Sequence, residues 1–543
     1  IAAWAIRALV AEILFLVHVR PGLPPGSLGV PFLGNLPTVL WKHDGIIFLH
    51  LIEQAQQLRS PVFFTTVFGR KLITLADSAS LAWIWNTDRK SQTEVAWPPN
   101  ISALMGPNST STAKGARHRA LRRLMEPFYA PKFVQKNYVD GIVSSTDAEL
   151  ARWHAQTQAS ASDDDPNDDD PNNNNNNNNN TNNTNSEDAY VSGDVFKLYA
   201  LRMFWMSTFG EVDETVLKQL HDDFKIFING FTVVCMVRIP GLAFDEAMKA
   251  RDRILDLCRE LVDRFRRDHP EGSDRAEKTV MGRMIYSRND EGVGLTNDEI
   301  LDNLLLLIFA GHDTTFASIN TLLYHLTKDP LAMEALQEEA ATFREPLDYE
   351  QLKNAPVLNA IMHESWRVNP PVSAGFRKFV AKEGTDKKSL SSSWLSSMSS
   401  WLSSMLPSSF GPECLEYSGF RFPSDTVFNY NITLTTADDE LYPSADTFRF
   451  QRFLPEDHKH SDANWRSGVD PAQGRSTYPI FGGGTHVCLG QNFAKLELRI
   501  LLARIVMGYD IATRNPKRIH APVNGWTLEF RLEKKKKSKP KKD

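Results

Sequence analysis

Hydrophobic residues recur every three to four positions along several long segments of this 543-residue chain, the spacing of helices that bury one face. Helices are predicted at Asp44–Leu58, Ala116–Phe128, Val195–Phe209, Asp245–Arg267, Thr296–Thr327, Asp348–Asn369 and Gln491–Val506. Short strands, rich in β-branched and aromatic residues, are predicted at Val62–Thr66, Lys71–Thr74 and Gly525–Arg531. The pattern therefore predicts a mainly α-helical protein with small β-sheets.

Composition is that of one large globular domain. The chain exceeds the usual size of a single core, yet no linker separates two similar halves, so we predict one domain at residues 36–533 with insertions. Hydrophobic residues make up 42% and charged residues 23%, which is ordinary for a globular protein. A net charge of −5 gives no case for nucleic-acid binding. Four cysteines without a CxxC pair fit a reducing, cytosol-facing location.

Two internal segments differ from the rest in composition and are predicted to be insertions. Residues 160–188 hold clustered aspartates and a run of nine asparagines, which cannot bury apolar surface and predict a disordered surface loop. Residues 384–412 repeat Trp-Leu-Ser-Ser-Met from Trp394 and again from Trp401, an offset that aligns apolar side chains on one side of a helix. Contact of that side with a membrane and packing on the protein stay open as alternatives.

Both ends of the chain carry features of membrane-associated proteins. Residues 1–20 are strongly apolar but include Arg7 and Glu12, so we interpret them as the remnant of an anchor or as an interfacial helix, with an unstructured leader as the alternative. Residues 21–35 are rich in proline and glycine and predict a rigid hinge. The basic tail at 534–543 contains seven lysines and is predicted to be a solvated end, with attraction to anionic lipid as the alternative.

One cysteine stands in a glycine-rich loop directly before a predicted helix, in the segment Phe481-Gly-Gly-Gly-Thr-His-Val-Cys488-Leu-Gly490. Glycines allow a backbone to approach a flat cofactor closely, and N–H groups at a helix start stabilise a sulfur anion. A thiolate at Cys488 is therefore a candidate axial ligand for haem iron. A buried structural cysteine is the alternative for an isolated residue of this type.

The loop resembles the haem-binding loop of the cytochrome P450 superfamily. The matching positions are Phe481, Gly482, Gly484, His486, Cys488 and Gly490. Landmarks follow the family order from about Pro21 to Leu532, and the stretch Gly375-Phe376-Arg377 is similar to the branch with retinoic-acid hydroxylases and sterol or steroid oxidases. The resemblance implies the P450 fold and haem b, with Cys488 as the iron ligand and Phe481 and Gly482 beside the cofactor.

A second motif, Ala310-Gly-His-Asp-Thr-Thr315, lies inside a long apolar helix and resembles the oxygen-activating segment of the same family. Ala310 and Thr314 are four residues apart and share a face, so the small residue leaves space for a haem plane beside the hydroxyl. We expect a local distortion at Gly311 that opens room for oxygen. By the match, Asp313 relays protons and Thr314 holds the hydrogen-bond network. The alternative is that Thr314 only bonds a backbone carbonyl.

Two further sets of residues follow from the resemblance. Glu364 and Arg367, three apart on a helix, match the structural ExxR pair that joins a later arginine, here Arg452. The usual proline and glutamate before that arginine are replaced by Phe450 and Gln451, so the match is imperfect. The positive partners of the two haem propionates are assigned to His118, Arg122, Arg377 and His486.

Substrate contacts are predicted from apolar segments that the resemblance places around the haem. Their apolar residues are Ile101, Leu104, Met105, Phe231, Val372 and Trp526. Core packing is the alternative for the same residues. A basic docking face for a redox partner is predicted from Arg117, Arg119, Arg123 and Lys495.

The resemblance implies a monooxygenase that inserts one oxygen atom from O2 into a hydrophobic, isoprenoid- or lipid-like substrate. Electrons are expected from NADPH through a separate reductase, because the chain shows no flavin or dinucleotide domain. The expected location is the endoplasmic reticulum membrane with the catalytic domain facing the cytosol, and a plastid is the alternative. Two other functions stay open: an isomerase or dehydratase of peroxides, and a non-catalytic haem-binding sensor or carrier.

Overall fold

The computed structural model describes residues 22–535 apart from 31–32, 44–46, 68–69, 160–189, 211–212, 234–237, 290, 382–413, 466–468, 472–473, 520–522 and 524. The apolar residues 1–20, the two predicted insertions and most of the basic tail lie outside the described residues. What the sequence predicts for them stays a prediction.

Helices dominate the described chain. They are α1 (Leu36–Lys42), α2 (Ile47–Leu58), α3 (Ser78–Arg89), α4 (Pro99–Met105), α5 (Gly115–Met125), α6 (Pro131–Asn137), α7 (Val139–Ala159), α8 (Val195–Phe209), α9 (Glu214–Asn229), α10 (Ala243–Asp268), α11 (Asp274–Lys278), α12 (Val280–Tyr286), α13 (Asn297–Lys328), α14 (Pro330–Ala340), α15 (Tyr349–Lys353), α16 (Pro356–Val368), α17 (Ile432–Thr436) and α18 (Gln491–Gly508). The prediction of a mainly helical fold is confirmed.

The strands form small sheets. They are β1 (Gly26–Ser27), β2 (Val62–Val67), β3 (Arg70–Leu75), β4 (Thr93–Val95), β5 (Val191–Ser192), β6 (Ala374–Phe379), β7 (Cys414–Tyr417), β8 (Phe420–Pro423), β9 (Val427–Asn431), β10 (Tyr509–Ile519) and β11 (Gly525–Lys534). Within the described residues, one sheet has the order β1-β2-β3-β9-β6-β4, a second has the order β10-β11-β5, and β7 and β8 form a hairpin.

Part of the predicted hinge is docked on the larger sheet. Strand β1 pairs with β2 in parallel, with Gly26 opposite Phe64. A Cβ atom on Gly26 would lie 2.1 Å from the carbonyl oxygen of Phe64, so only glycine permits this approach. Asn35 fixes the end of the segment by donating from Nδ2 to the Thr65 hydroxyl at 2.9 Å. The described part of residues 21–35 is therefore anchored to the larger sheet.

Helix α13 is the central element of the core. Its 32 residues span about 48 Å, and Thr296 and Glu299 form a capping box at its start. One hydrophobic cluster packs on its second half around Phe316 and Leu322, and another packs on its first half around Leu304. Among the described helices, α13 alone is long and apolar enough to cross a membrane, but 67% of its most apolar window is buried inside the protein. It serves here as a core helix.

One predicted helix is wrong, because the structure has two helices in its place. The segment Asp348–Asn369 forms two helices, α15 and α16, separated at Asn354 and Ala355. Pro356 stands at the start of α16 and Ala355 before it is extended, with φ −79° and ψ 102°. A proline disfavours helical geometry in the residue before it and has no N–H to donate, so it ends one helix and begins the next.

Candidate haem-thiolate site

The Cys488 loop is a tight turn that precedes α18. The N–H of Cys488 donates to the carbonyl of Phe481 at 2.8 Å, which closes the loop. Gly482 and Gly484 both have φ of 68°, a left-handed conformation that glycine adopts without a steric penalty. Helix α18 begins at Gln491 directly after the loop. The sequence therefore places the sulfur at the start of a helix, as predicted.

The loop lies directly on helix α3. A Cβ atom on Gly483 would lie 2.3 Å from the ring of Trp85, and one on Gly484 would lie 2.4 Å from a carboxylate oxygen of Asp88. From the sequence, the consecutive glycines are predicted to let the backbone approach a cofactor. In the structure, Gly483 and Gly484 are required by the contact with α3.

Asp88 is a site residue that sequence reasoning missed. Its buried Oδ2 accepts the Thr485 N–H at 2.7 Å and the Thr485 hydroxyl at 2.8 Å. Its Oδ1 lies 3.3 Å from Nε of Arg377 on β6. A single carboxylate thus joins the Cys488 loop to the strand that carries a predicted propionate partner. The sequence feature that could have identified Asp88 is its position four residues after Ile84, which places it on the buried face of α3.

The environment of Cys488 acts on its thiol in two directions. Burial raises the pKa of the thiol above its usual value, and the N–H groups of Gly490 and Gln491 and the positive charges of Arg122 and Lys495 offset only part of that rise. The residue is nevertheless exposed by surface area, although protein surrounds the sulfur. Both observations agree if the sulfur faces an internal cavity. Helix N–H groups and nearby cations are the groups that stabilise a thiolate.

Helix α13 presents Ala310 and Thr314 on one accessible face. Ala310 is exposed and Thr314 is half-buried, although the helix belongs to the core. The Thr314 hydroxyl donates to the Ala310 carbonyl at 2.6 Å. This is the backbone hydrogen bond that was named above as the alternative role of Thr314. The expected distortion at Gly311 is wrong, since α13 is helical throughout and this hydroxyl satisfies the carbonyl within the helix.

Asp313 points away from that face and pairs with its neighbour. His312 and Asp313 are both buried, and His312 Nδ1 lies 3.0 Å from Asp313 Oδ1. The His312 ring packs edge-on against Phe224 of α9, and the ring of His221 is 6.0 Å away. Asp313 Oδ2 has no hydrogen-bond partner. The structure therefore separates Asp313 from Thr314 and gives Asp313 a histidine partner that the sequence analysis did not assign.

The four predicted propionate partners come together from three elements. His118 of α5 stacks on His486 with ring centroids 3.7 Å apart. Burial, helped by nearby arginines, lowers the pKa of His118 to about 4 and that of His486 to about 2. Arg122 donates from Nη1 to the Val487 carbonyl at 2.6 Å, and Arg377 is fully buried. At neutral pH the two arginines therefore carry the positive charge of this group.

Comparisons with known proteins settle the family. The sequence profile of Cytochrome P450 matches residues 24–383 and 413–538. The chain belongs to the cytochrome P450 family. It is therefore a haem b-dependent monooxygenase, as the resemblance implied.

Named relatives of this P450 align with it over most of its length. Taxane 13-alpha-hydroxylase of Taxus cuspidata is 22% identical over 91% of this chain and 87% of its own length. Abscisic acid 8'-hydroxylase 4 of Arabidopsis thaliana is 21% identical over 94% of this chain and 93% of its own length. The structure of retinoic acid-bound cyanobacterial CYP120A1 covers 94% of this chain and 99% of its own, with a TM-score of 0.72 at 22% identity. That likeness shows a shared fold.

The residues of this P450 fit a haem. His118 Nε2 and Arg377 Nη2 are buried without a hydrogen-bond partner, which is rare for polar atoms in proteins. Two propionates would satisfy them, with Arg122 and His486 as further donors. Cys488 would hold the iron and Ala310 would lie against the porphyrin. The haem supplies oxygen activation when bound, while the thiolate ligand directs electron density toward the iron.

The Glu364 network is a fully buried ion cluster. Arg367 donates to both oxygens of Glu364, at 2.7 and 2.8 Å, and Arg452 Nε donates to Oε1 at 3.0 Å. The N–H of Arg449 is a fourth donor, at 2.8 Å. Two guanidinium groups thus share one carboxylate. Arg367 also donates to the carbonyls of Thr436, Ala445 and Thr447, and Arg452 Nη2 donates to that of Ser444, whereas Arg452 Nη1 is buried without a hydrogen-bond partner. The cluster joins α16 to residues 436–452 despite the imperfect motif.

The predicted substrate residues divide into two groups. Leu104 and Met105 are fully buried in the hydrophobic cluster that packs on the first half of α13, which is the core-packing alternative. Apolar side chains of α4 face inward, which the single-sequence pattern does not distinguish from cavity lining. Ile101 and Phe231 remain partly accessible, and Phe231 stacks on Phe309 at 4.5 Å beside Ala310.

The other two predicted contacts occupy separate environments. Val372 is exposed in the turn before β6. Trp526 of β11 stacks on Tyr324 with ring centroids 4.1 Å apart, and its Nε1 donates to Asn369 Oδ1 at 3.3 Å. Trp526 therefore has a packing role on α13 whether or not it touches a substrate.

Proposed function

We propose that this P450 hydroxylates an apolar isoprenoid- or lipid-like substrate with electrons from a separate NADPH-dependent reductase. The observation that carries the proposal is the accessible face of α13 at Ala310 and Thr314, flanked by the stacked rings of Phe309 and Phe231. An apolar wall with one hydroxyl favours a hydrophobic substrate over a charged one.

The names of the relatives support the same substrate class. They are hydroxylases of taxanes, of abscisic acid and of a steroid, and the similar solved structure holds retinoic acid. These four compounds share an isoprenoid origin of their carbon skeletons. The family assignment alone leaves the substrate class open, so this step is our inference.

The function is tested with purified protein, a P450 reductase, NADPH and 18O2. A spectral binding screen of sterols, retinoids, carotenoids and fatty acids first identifies a ligand. We expect a product with one labelled oxygen atom, formed only when NADPH and O2 are present. Conversion of a peroxide without NADPH would support the isomerase or dehydratase, and binding without any product would support the sensor.

Thr314→Val tests the role of the hydroxyl in the same assay. We expect product formation to fall by roughly 100-fold, the lower end for a positioned proton-transfer group, while NADPH oxidation continues. Thr327→Val is the matched control, because the Thr327 hydroxyl bonds the Leu323 carbonyl at 2.8 Å in the same i−4 geometry on the same helix. An unchanged ratio of product to NADPH in Thr314→Val would leave Thr314 with a structural role only.

The reductase is proposed to dock on basic residues of α5. Arg119 and Arg123 are exposed there, on the helix that also carries His118 and Arg122. The other two predicted residues are engaged: Arg117 is ion-paired with Glu299, and Lys495 lies 5.0 Å over the Phe481 ring. Burial lowers the pKa of Lys495 to about 8.

Charge reversal measures this docking. The double variant Arg119→Glu and Arg123→Glu is expected to slow reduction by the reductase by about 10-fold or more at low ionic strength, and the difference should shrink as salt screens it. Lys353→Glu, an exposed charge on α15, is the control. Equal reduction rates in all three proteins would remove α5 from the docking face.

Membrane association is proposed to involve four exposed apolar residues near the start of the described chain, Val30, Leu33, Leu40 and Trp41. Trp41 is 84% exposed and lies next to exposed Leu40, with Leu33 and Val30 exposed nearby in the chain. We expect Trp41→Ser to reduce flotation with phospholipid vesicles, whereas Val293→Ser, at another exposed apolar residue, should not. Equal flotation of both variants would contradict this surface. Location in the endoplasmic reticulum, facing the cytosol, remains our proposal.

A further inference from the structure

A second cluster of ligand-type side chains lies at the end of α1 and on α2. These two helices carry none of the haem-site residues. His43 follows the last residue of α1, and His50 and Glu53 are three residues apart on α2. One ligand atom from each of the three residues lies within 4.8 Å of the other two. Among the described residues, this is the group of histidine, cysteine and carboxylate side chains close enough to share a metal ion.

The His43 and Glu53 atoms are already close to a coordinating arrangement. His43 Nε2 lies 2.9 Å from Glu53 Oε2. In a tetrahedral zinc site with bonds of about 2.0–2.2 Å, neighbouring ligand atoms are about 3.3–3.5 Å apart. Small side-chain shifts of a few tenths of an ångström would therefore convert this hydrogen-bonded pair into two zinc ligands.

His50 supplies an independent observation. Only 4% of the residue is exposed, and neither ring nitrogen has a hydrogen-bond partner. Buried polar atoms are almost always satisfied, so a histidine with two unpaired nitrogens beside two other ligand-type groups needs an explanation.

We propose that His43, His50 and Glu53 bind a zinc ion, with a water molecule as the fourth ligand. Two imidazoles and one carboxylate suit zinc in preference to magnesium or calcium, which favour oxygen ligands. The ion would join the end of α1 to α2, next to the apolar surface at Trp41. This site is separate from the haem and does not depend on the proposed substrate or reductase.

A variant of Lys42 can distinguish a metal site from an ordinary hydrogen-bond cluster. Its ammonium group is ion-paired with Glu53 Oε1, the oxygen that does not contact His43. A positive charge there opposes a bound cation through Coulomb repulsion, although it stabilises the carboxylate when no metal is bound. Lys42→Met should therefore tighten zinc binding, by roughly 10-fold.

The test is calorimetric titration of the full-length, haem-loaded protein with zinc chloride, with the bound metal counted by mass spectrometry. We expect one zinc per chain, lost in His50→Ala and in Glu53→Gln. Because Glu53 is partly exposed, the glutamine variant tests the site even if His50→Ala fails to fold. Absence of zinc binding, or the same stoichiometry in Glu53→Gln, would overturn the proposal.

A similar surface group provides the matched control. His460 Nε2 lies 3.2 Å from Glu338 Oε2, and Lys459 is ion-paired with the same oxygen. The third side chain, His458, already accepts the His460 N–H at Nδ1. We expect His460→Ala to bind zinc as the parent protein does, and Lys42→Met to bind it more tightly. Loss of zinc in His460→Ala, or no gain in Lys42→Met, would refute the assignment to α1 and α2.

Discussion

Replacing Glu364 with glutamine is expected to lower the free energy of unfolding by about 3–5 kcal/mol, the cost of breaking a buried ion pair from one side. The carboxylate is completely buried and accepts four hydrogen bonds, from Arg367, Arg452 and the Arg449 N–H. Burial lowers the pKa of Arg452, and the Glu364 carboxylate opposes that effect by its charge and its hydrogen bond. Without the carboxylate, two cations remain buried with only backbone carbonyls as partners.

Urea denaturation followed by tryptophan fluorescence measures the effect, and haem absorbance reports retention of the cofactor. Glu350→Gln is the matched control, since Glu350 and Lys353 are also three residues apart but are 52% and 50% exposed. We expect the control to change stability by less than about 1 kcal/mol, because exposed pairs contribute little. Equal losses in the two variants would show that the Glu364 cluster does not stabilise the fold in the way described.

The second large effect is expected at Asp88. Asp88→Asn removes the charge that pairs with Arg377 and one acceptor for Thr485, and we expect it to lower stability by about 3 kcal/mol or more and to speed haem loss. The reason is geometric: the carboxylate holds the Cys488 loop and Arg377 in one arrangement. Transfer of haem to excess apomyoglobin measures the rate of loss.

Thr485→Val is expected to have a smaller effect than Asp88→Asn. The variant removes only the hydroxyl bond to Asp88 and keeps the Thr485 N–H bond at 2.7 Å. We expect a loss of about 1 kcal/mol, the net contribution of one hydrogen bond, and a small change in haem loss. If Asp88→Asn proves no more harmful than Thr485→Val, the ion pair with Arg377 has no role in holding the site.

Long helices and the two chemical motifs were readable from the sequence because their signals are local. Val195–Phe209 matches α8 in full, and α13 begins within one residue of the predicted start, where Thr296 and Glu299 form the capping box. The Cys488 loop and the start of α18 were likewise marked by adjacent residues. Periodicity and caps suffice where every determinant lies within a few positions.

Features that depend on distant contacts were not readable in this way. Asp88 and Thr485 are 397 positions apart, so the sequence around either residue does not predict their hydrogen bond. Strand β10 contains no fully buried residue, and it is held by antiparallel pairing with β11. The break before α16 differs, because its determinant, Pro356, is local: a proline ends a helix even where the hydrophobic periodicity continues on both sides of it.

We infer that the sulfur of Cys488 is the protein ligand of the haem iron. The absorption spectrum of the reduced protein under carbon monoxide tests it most directly, since the position of the Soret band depends on the axial ligand. We expect the long-wavelength band of thiolate coordination in the parent protein and its loss in Cys488→Ser. A parent spectrum typical of histidine ligation, or an unchanged thiolate band in Cys488→Ser, would contradict it.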